Sequence, residues 1–407
     1  MATTPKTAER FTNWAGNQAC EPRATESPAS EAEVQALVRA AQQVRCVGTG
    51  HSFSPVCLTG GTLLRMNRMS GVTAIDRGTG RVTALPGTPV GAFGSPLWDA
   101  GLALGNQGDI DTQGIAGAVA TATHGSGIEH QSFSATVRRM RLVTAGGEVL
   151  ELSENDARLA AAQVALGMLG VITELELQAV PAYRLAERVE HWTWEDASGR
   201  LEELDRAHRH YSFFWIPAES SAALYGLSAP EGATLADSCY VKIYDEAGEG
   251  VPDSDEPGRR VGRSYLIYPM TFEPNFHELE YFLPAEAARE IFEHQRAFML
   301  RNLPDSIFPM EVRFVKADEA WLSPNYSRDS VVISVSGKPG TNYWPYLKLC
   351  DQRLYDQGGR PHWGKLHFMT EERLRARFPK FDAFKALRRA FDPAGVFLND
   401  HLAPMFG

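Results

Sequence analysis

The chain has 407 residues, 43% of them hydrophobic, and carries 40 Lys and Arg against 50 Asp and Glu for a formal net charge of −10. That length exceeds what one hydrophobic core usually organises, and the apolar fraction suffices for two, so a two-domain enzyme is expected. An acidic balance without a basic run argues against nucleic acid and anionic membrane as partners, since both are held by Lys and Arg, and leaves small neutral or weakly charged molecules.

Along the chain, Pro28-Ala-Ser30 precedes an amphipathic pattern that predicts a helix from Glu31 to Val44. Strands are expected at Val44 to Val47, Leu63 to Met66, Val72 to Ile75 and Arg81 to Leu85. Val137 to Thr144 and Glu148 to Leu152 read as a hairpin around Ala145-Gly-Gly147. Ala160 to Gly167 reads as a helix and Val171 to Val180 as an alternating strand that ends at Pro181 and closes a first domain, 1–182. A second domain, 183–369, should carry strands at Tyr211 to Ile216, Tyr240 to Tyr244, Phe276 to Leu283, Met310 to Val315 and Val331 to Val335, with a helix from Ala285 to Asn302. The acidic stretch Asp245 to Arg259 has a loop's composition and is expected to be mobile. From about Glu371 the tail, 370–407, returns to helix.

Met1 to Arg10 lacks an apolar core of signal-peptide length, and no run of about 18 apolar residues occurs, so the chain reads as cytoplasmic and not membrane-inserted. Five widely spaced cysteines without a C-x-x-C indicate neither a disulfide framework nor a metal site.

Two glycine-rich blocks carry the functional signal. Val47-Gly-Thr-Gly-His-Ser-Phe-Ser54 sets His51 behind two glycines after a short strand, and Gly114-Ile-Ala-Gly-Ala-Val-Ala-Thr-Ala-Thr-His-Gly-Ser-Gly127 follows later. Glycines let backbone N–H groups approach a diphosphate, and Ser and Thr hydroxyls complete such a cradle. Neither G-x-x-x-x-G-K-[ST] nor a helix-opening G-x-G-x-x-G is present, so neither an ATP-type loop nor a Rossmann domain is indicated. Taken alone, His51 could also be a satisfied loop histidine.

The first block resembles the G-[STG]-G-H-S string of the vanillyl-alcohol-oxidase type of FAD enzymes, in particular their sugar-1,4-lactone and alditol oxidase branch. Leu104-Gly-Asn-Gln-Gly-Asp-Ile-Asp111 and Ala120-Thr-Ala-Thr-His-Gly-Ser-Gly127 are similar to that branch's N-Q-G-D and A-T-x-T-H-G-[ST]-G segments, and the likeness runs from Asn13-Trp14 to Phe391-Asp-Pro-Ala-Gly-Val-Phe-Leu-Asn399, weakest between about Glu187 and Pro269. It implies the α+β, two-domain FAD-binding fold of the p-cresol methylhydroxylase and vanillyl-alcohol-oxidase type, with a substrate cap built on an antiparallel sheet and the tail packed back on the FAD-binding domain. It also implies FAD joined covalently to His51. Gly48, Thr49, Gly50, Ser52, Gln107, Gly108, Asp109, Gly114, Gly117, Ala118, Thr121, Thr123, His124, Gly125, Ser126, Gly127, Gly170, Val171, Ile172 and Lys365 would surround the cofactor. No cysteine lies between Gln107 and His124, which favours a single covalent bond.

Glu311-Val-Arg313 puts both charged residues on one face of a strand, where they could be a surface ion pair or could present one acceptor and several donors to a polyol. The surrounding Phe308-Pro-Met-Glu-Val-Arg-Phe314 resembles the family segment whose Glu and Arg face the flavin. His362-Trp-Gly-Lys-Leu-His367 is similar to the signature of the branch; if extended, it would place Lys365 and His367 on one face. Glu280, in Glu278-Leu-Glu-Tyr-Phe282, matches a family segment in which Leu279 replaces Met. By resemblance, hydride leaves a carbinol for flavin N5, Glu311 accepts or orients the hydroxyl, Arg313 and Lys365 stabilise the reduced flavin's negative charge, and Glu280, Ser336, His362 and His367 are pocket candidates. O2 or another acceptor would take the electrons.

Two departures bear on the substrate. Gly114 stands where many relatives have Ser, and Ser336 or its neighbours Ser334 and Gly337 stand where lactone-oxidising relatives have His. The expectation is an aldono-1,4-lactone of the L-gulono or D-arabinono type, with an alditol such as xylitol or sorbitol, or a larger or modified sugar, as alternatives, and a non-catalytic sugar-binding protein as the alternative of another class. A monomer is expected.

Overall fold

The computed structural model describes residues 9–227, 234–269 and 275–407. The helix predicted from Glu31 runs to Ala40 only, capped by Ser30, whose hydroxyl accepts the Glu33 N–H. It stops early because Ala41 is extended, which frees the chain to enter the strand Val44–Val47. That strand and Ala24–Glu26 flank Thr62–Arg65 in a three-stranded parallel sheet.

Beside it lies a five-stranded antiparallel sheet in the order Val149–Ser153, Val137–Val143, Val171–Gln178, Arg81–Ala84, Val72–Asp76. The predicted hairpin is present, with Val143 opposite Val149 and Gly147 at φ +75. The helix expected from Ala160 to Gly167 shrinks to Leu159–Ala162. Leu166 and Gly167 adopt φ 52 and 72, a left-handed reversal that ends the helix and leads the chain through Gly170 into the strand Val171–Gln178.

The second body is an eight-stranded antiparallel sheet. Its order is Val261–Arg263, Arg184–Thr193, Ser238–Glu246, His210–Ile216, Met310–Val315, Ser330–Gly337, His277–Pro284, Arg360–Pro361. One face is apolar: Phe213, Val312, Ile333 and Tyr281 pack with helices Ala288–Asn302 and Trp344–Asp356 in one core. Register brings the opposite face together from five strands, since Glu311 pairs with Phe214 and Ser334, Ser334 with Glu280, and Phe214 with Tyr240. Charged residues there alternate with the apolar ones that anchor each strand.

The stretch from Asp245 to Arg259 is pinned where mobility was expected: Asp245 and Glu246 extend the strand, Ser254 pairs with Val261, and the Val189 N–H donates to Gly258 O at 2.9 Å. The tail forms helices Glu371–Arg377 and Phe381–Phe391, and buries Phe378, Phe381, Phe384 and Phe406 in the core that holds Phe93 and Val119.

Candidate active site

A channel with about 1130 Å³ of space, its open mouth included, runs between the parallel sheet, the glycine-rich blocks and the turn after Pro361. Gly48, Thr49, Gly50, His51, Ser52, Gly114, Gly117, Ala118, Thr121, Thr123, Gly170, Val171, Ile172 and Lys365 all line it. Gly48 and Gly114 face each other, a Cβ on Gly114 lying 3.5 Å from Gly48 Cα, while a Cβ on Gly117 would meet nothing within 4 Å.

His51 follows Gly50, which turns the chain at φ +73. Trp14 stacks on its ring at 4.8 Å and 16°, and Nε2 lies 3.1 Å from Thr112 Oγ1. Burial, aided by the charge of Lys365, pushes His51 down to about 4, so its imidazole is uncharged and nucleophilic at neutral pH. The loop beyond it is tied to the distant turn: the Phe53 N–H donates to Gly364 O at 2.7 Å and Ser54 Oγ donates to Trp363 O at 2.6 Å.

A cleft of about 600 Å³ adjoins the channel on the polar face of the large sheet, and Thr123, His362 and Lys365 line both. Arg313 bonds Glu280 at 2.9 Å and Glu311 at 3.0 Å, and approaches Asp109 at 3.8 Å. Lys242 reaches Asp109 at 3.4 Å, Lys365 pairs with Glu278, and Glu280 also takes hydrogen bonds from Ser334 at 2.7 Å and contacts His124 Nε2 at 3.1 Å. Asp109, Glu278, Glu280 and Glu311 thus share three permanent cations, Lys242, Arg313 and Lys365.

The carboxylates differ in how they resolve this. Burial works against the charge of Glu280, but Arg313 and His124 outweigh it and hold Glu280 well below the usual range. At Glu311 burial wins over Arg313, and Asp109 adds repulsion, so its carboxyl is pushed up to about 8. Oε1 of Glu311 is buried with no hydrogen-bond partner. Burial likewise opposes the Lys365 ammonium, yet Glu278 and Glu280 hold it above its ordinary value. Donor atoms of His124, Glu280 and His362 lie within 4.8 Å of one another, as in a metal site. Those of Glu280 are already engaged by Arg313, Ser334 and His124, and two cations stand beside it.

Not all of the residues expected around the cofactor line the channel itself. Gly108, Asp109 and His124 line the cleft and not the channel. Gln107, Gly125, Ser126 and Gly127 line neither: a Cβ on Gly125 would lie 1.9 Å from Gln107 O, the Ser126 hydroxyl donates to Tyr211 O, and the Gly127 N–H donates to Phe314 O at 2.7 Å. They clamp the cofactor-side loop to the large sheet. His367 does not share a face with Lys365, because the segment turns at His362, whose carbonyl accepts the Lys365 N–H; His367 is instead half-buried, with its ring against those of Trp363 and His401. Ser336 sits on the polar face opposite Glu278, outside the cleft lining, while Ser334 contacts Glu280 and Gly337 is filled against by the Tyr343 ring.

Sequence reasoning missed Lys242, Glu278 and Arg45. The first two lie in period-two segments, Tyr240-Val-Lys242-Ile-Tyr244 and Glu278-Leu-Glu280, whose alternation gives the face each charge shares but not what that face meets. Arg45 lines the channel, is 4% exposed and donates to Val56 O, Leu166 O and Phe397 O; a charge inside a four-residue strand carried no signal for that.

Residues 22–153 match a FAD binding domain family, and residues 251–405 match the D-arabinono-1,4-lactone oxidase family. The chain is 36% identical to an L-gulono-1,4-lactone dehydrogenase of Mycobacterium tuberculosis over 98% of this chain and 99% of that protein. It is 30% identical to an alditol oxidase of a Streptomyces species over 96% and 97%, and 28% identical to the L-gulonolactone oxidase of Bos taurus over 98% of each. In fold it is similar to cholesterol oxidase from B. sterolicum, with a TM-score of 0.82 at 15% identity, covering 98% of this chain and 96% of that one.

Proposed function

Because the chain belongs to the sugar-lactone and alditol oxidase family of FAD-dependent oxidoreductases, we propose that it oxidises a carbinol of an aldono-1,4-lactone of the L-gulono or D-arabinono type. The observation that carries this reading is the junction of channel and cleft, where Lys365 and His362 border both spaces and Glu311 lines the cleft.

The channel suits FAD on its own features. Its walls are backbone at Gly48, Gly114 and Gly117, where side chains would narrow it, and the Arg45 cation bordering it forms no ion pair among the described residues, which matches an anionic diphosphate. His51, kept neutral by burial and the Lys365 charge and held between Trp14 and Thr112, is the residue that would form the covalent bond to the cofactor. When bound, FAD supplies the two-electron acceptor for the hydrogen leaving the carbinol carbon.

The protein's part is positioning and charge. Glu311 accepts the substrate hydroxyl proton at Oε1 while Arg313 holds Oε2, and Glu280 holds Arg313 in turn. A base near 8 is matched to a working pH close to neutrality, where both its forms are accessible. Lys365, oriented by Glu278, sets a positive charge at the junction, where it stabilises negative charge that grows in the transition state.

Two measurements test this. Acid precipitation should leave yellow flavin on the polypeptide, and His51→Ala should release it; a wild-type protein whose flavin extracts into the supernatant sinks the covalent assignment. Anaerobic mixing with aldonolactones and alditols should bleach the flavin with the lactones. Bleaching by alditols alone would replace the lactone assignment with terminal alditol oxidation, the activity named for the Streptomyces relative.

A further inference from the structure

The polar face of the large sheet does not end at the reaction cleft. A second cavity, about 870 Å³ with its open mouth, lies on the same face, lined by Phe214, Tyr225, Tyr240 and Lys242 with the Glu187–Arg260 ion pair at one wall. Tyr225 lines both this cavity and the cleft, and Lys242 reaches across to Asp109 of the cleft.

A series of packed aromatic rings runs from the cleft to this cavity along the same side of the sheet. Phe276 in the cleft contacts Phe308 at 6.0 Å, Phe308 contacts Tyr225 at 6.3 Å, Tyr225 contacts Phe214 at 4.7 Å, and Phe214 contacts Tyr240 at 6.4 Å. The lining suits a carbohydrate: ring faces that match the C–H face of a pyranose, and a Lys242 ammonium with N–H donors left for its hydroxyls. Lys242 has three N–H donors and one carboxylate contact at 3.4 Å, and Arg260 and Glu187 engage each other at 2.6 and 2.8 Å at the opposite wall.

We propose that this cavity is a second sugar subsite, which binds a hexose ring glycosidically joined to the sugar undergoing oxidation, so that the physiological substrate is a glycosylated lactone or polyol and not a free one. The inference rests on the reaction assigned above.

Two matched pairs test it: L-gulono-1,4-lactone with its 6-O-glucosyl derivative, and sorbitol with maltitol. In the holoenzyme the glucosylated member of the pair that bleaches flavin should have a KM lower by about tenfold, the worth of one stacked aromatic contact. Val189→Trp, which fills the cavity from the neighbouring strand, and Tyr240→Ala, which removes a platform, should each abolish that advantage while leaving kcat/KM for the free sugar within about twofold, as expected for sites outside the chemistry. Glucosylated substrates used no better than free ones, or both members impaired equally by the variants, would overturn the subsite. Saturation-transfer NMR with maltitol separates this from failure of the reaction assignment. Contact to its glucose ring in wild type, lost in Val189→Trp, supports the subsite even if nothing bleaches the flavin, and absence of contact in wild type removes it.

Discussion

At Glu311 one carboxylate oxygen is held by Arg313 and the other is buried without a partner, and both the pH dependence and the chemistry follow from that. Its folded-state value, about 8, lies above its ordinary 4.5, so between those two values the folded protein keeps a proton that the unfolded chain releases. This group's contribution to stability therefore falls as pH rises across that window and is level outside it. Catalysis moves the other way, because only the ionised form accepts a proton: flavin reduction should rise with pH with a midpoint near 8, and Glu311→Gln should be slow and lose that midpoint. A stopped-flow pH series in which the wild type is flat from 6 to 9 would remove Glu311 as the base. Lys365→Met should reduce the rate of flavin reduction by roughly a hundred- to a thousand-fold while leaving a yellow, folded protein, since it deletes one preorganised charge and keeps the apolar stem. A wild-type reduction rate in that variant would place Lys365 outside the chemistry. The residues that announced themselves in the sequence, His51, Glu311, Arg313, Lys365, did so through neighbours that match a family. Lys242 and Glu278 did not, because a lone charge on a strand looks the same whether it faces water or a buried partner.

Among the elements, the period-two strands were the most legible: Met310–Val315 coincides with its prediction, and its alternation alone sets Glu311 and Arg313 on one side. What the alternation could not give is which strands adjoin, so the meeting of Glu280, Glu311 and Ser334 waited on the register. Turns were less legible. The His362–His367 segment reads as extended, but Gly364 lies in a turn bonded to the His51 loop, and that turn sends His367 away from the site. Glycines without visible conformational need also hid their role. Gly125 has no room for a methyl group against Gln107 O, so Gly125→Ala should lower stability by ~1–3 kcal/mol, the usual cost of overpacking, and shift the loop that carries His124. An unchanged denaturation midpoint in that variant would show that the loop relaxes freely.

Across the whole molecule, the cofactor channel is assembled from segments far apart in sequence. Trp363 is fully buried between Phe378 and Phe406 of the tail, and its indole N–H donates to Leu322 O at 2.6 Å. Trp363→Ala should cost ~3–5 kcal/mol by thermal or denaturant unfolding, the range for truncating a buried aromatic. It should also weaken FAD retention, since the Trp363 carbonyl holds Ser54 beyond His51; a destabilised variant that keeps its flavin as tightly as wild type would uncouple the two. The same tail closes the channel more directly. Phe397 lines it and accepts from Arg45, the Val44 N–H donates to Val396 O at 2.8 Å, and the Asn399 amide donates to Pro55 O and Leu58 O. Synthesis on the ribosome is vectorial and domains generally fold as they emerge, so the FAD-binding strands leave the exit tunnel hundreds of residues before the wall that completes their pocket. The nascent protein is thereby kept from capturing its cofactor until translation is all but finished, and a ribosome stalled short of Phe397 should carry a colourless chain.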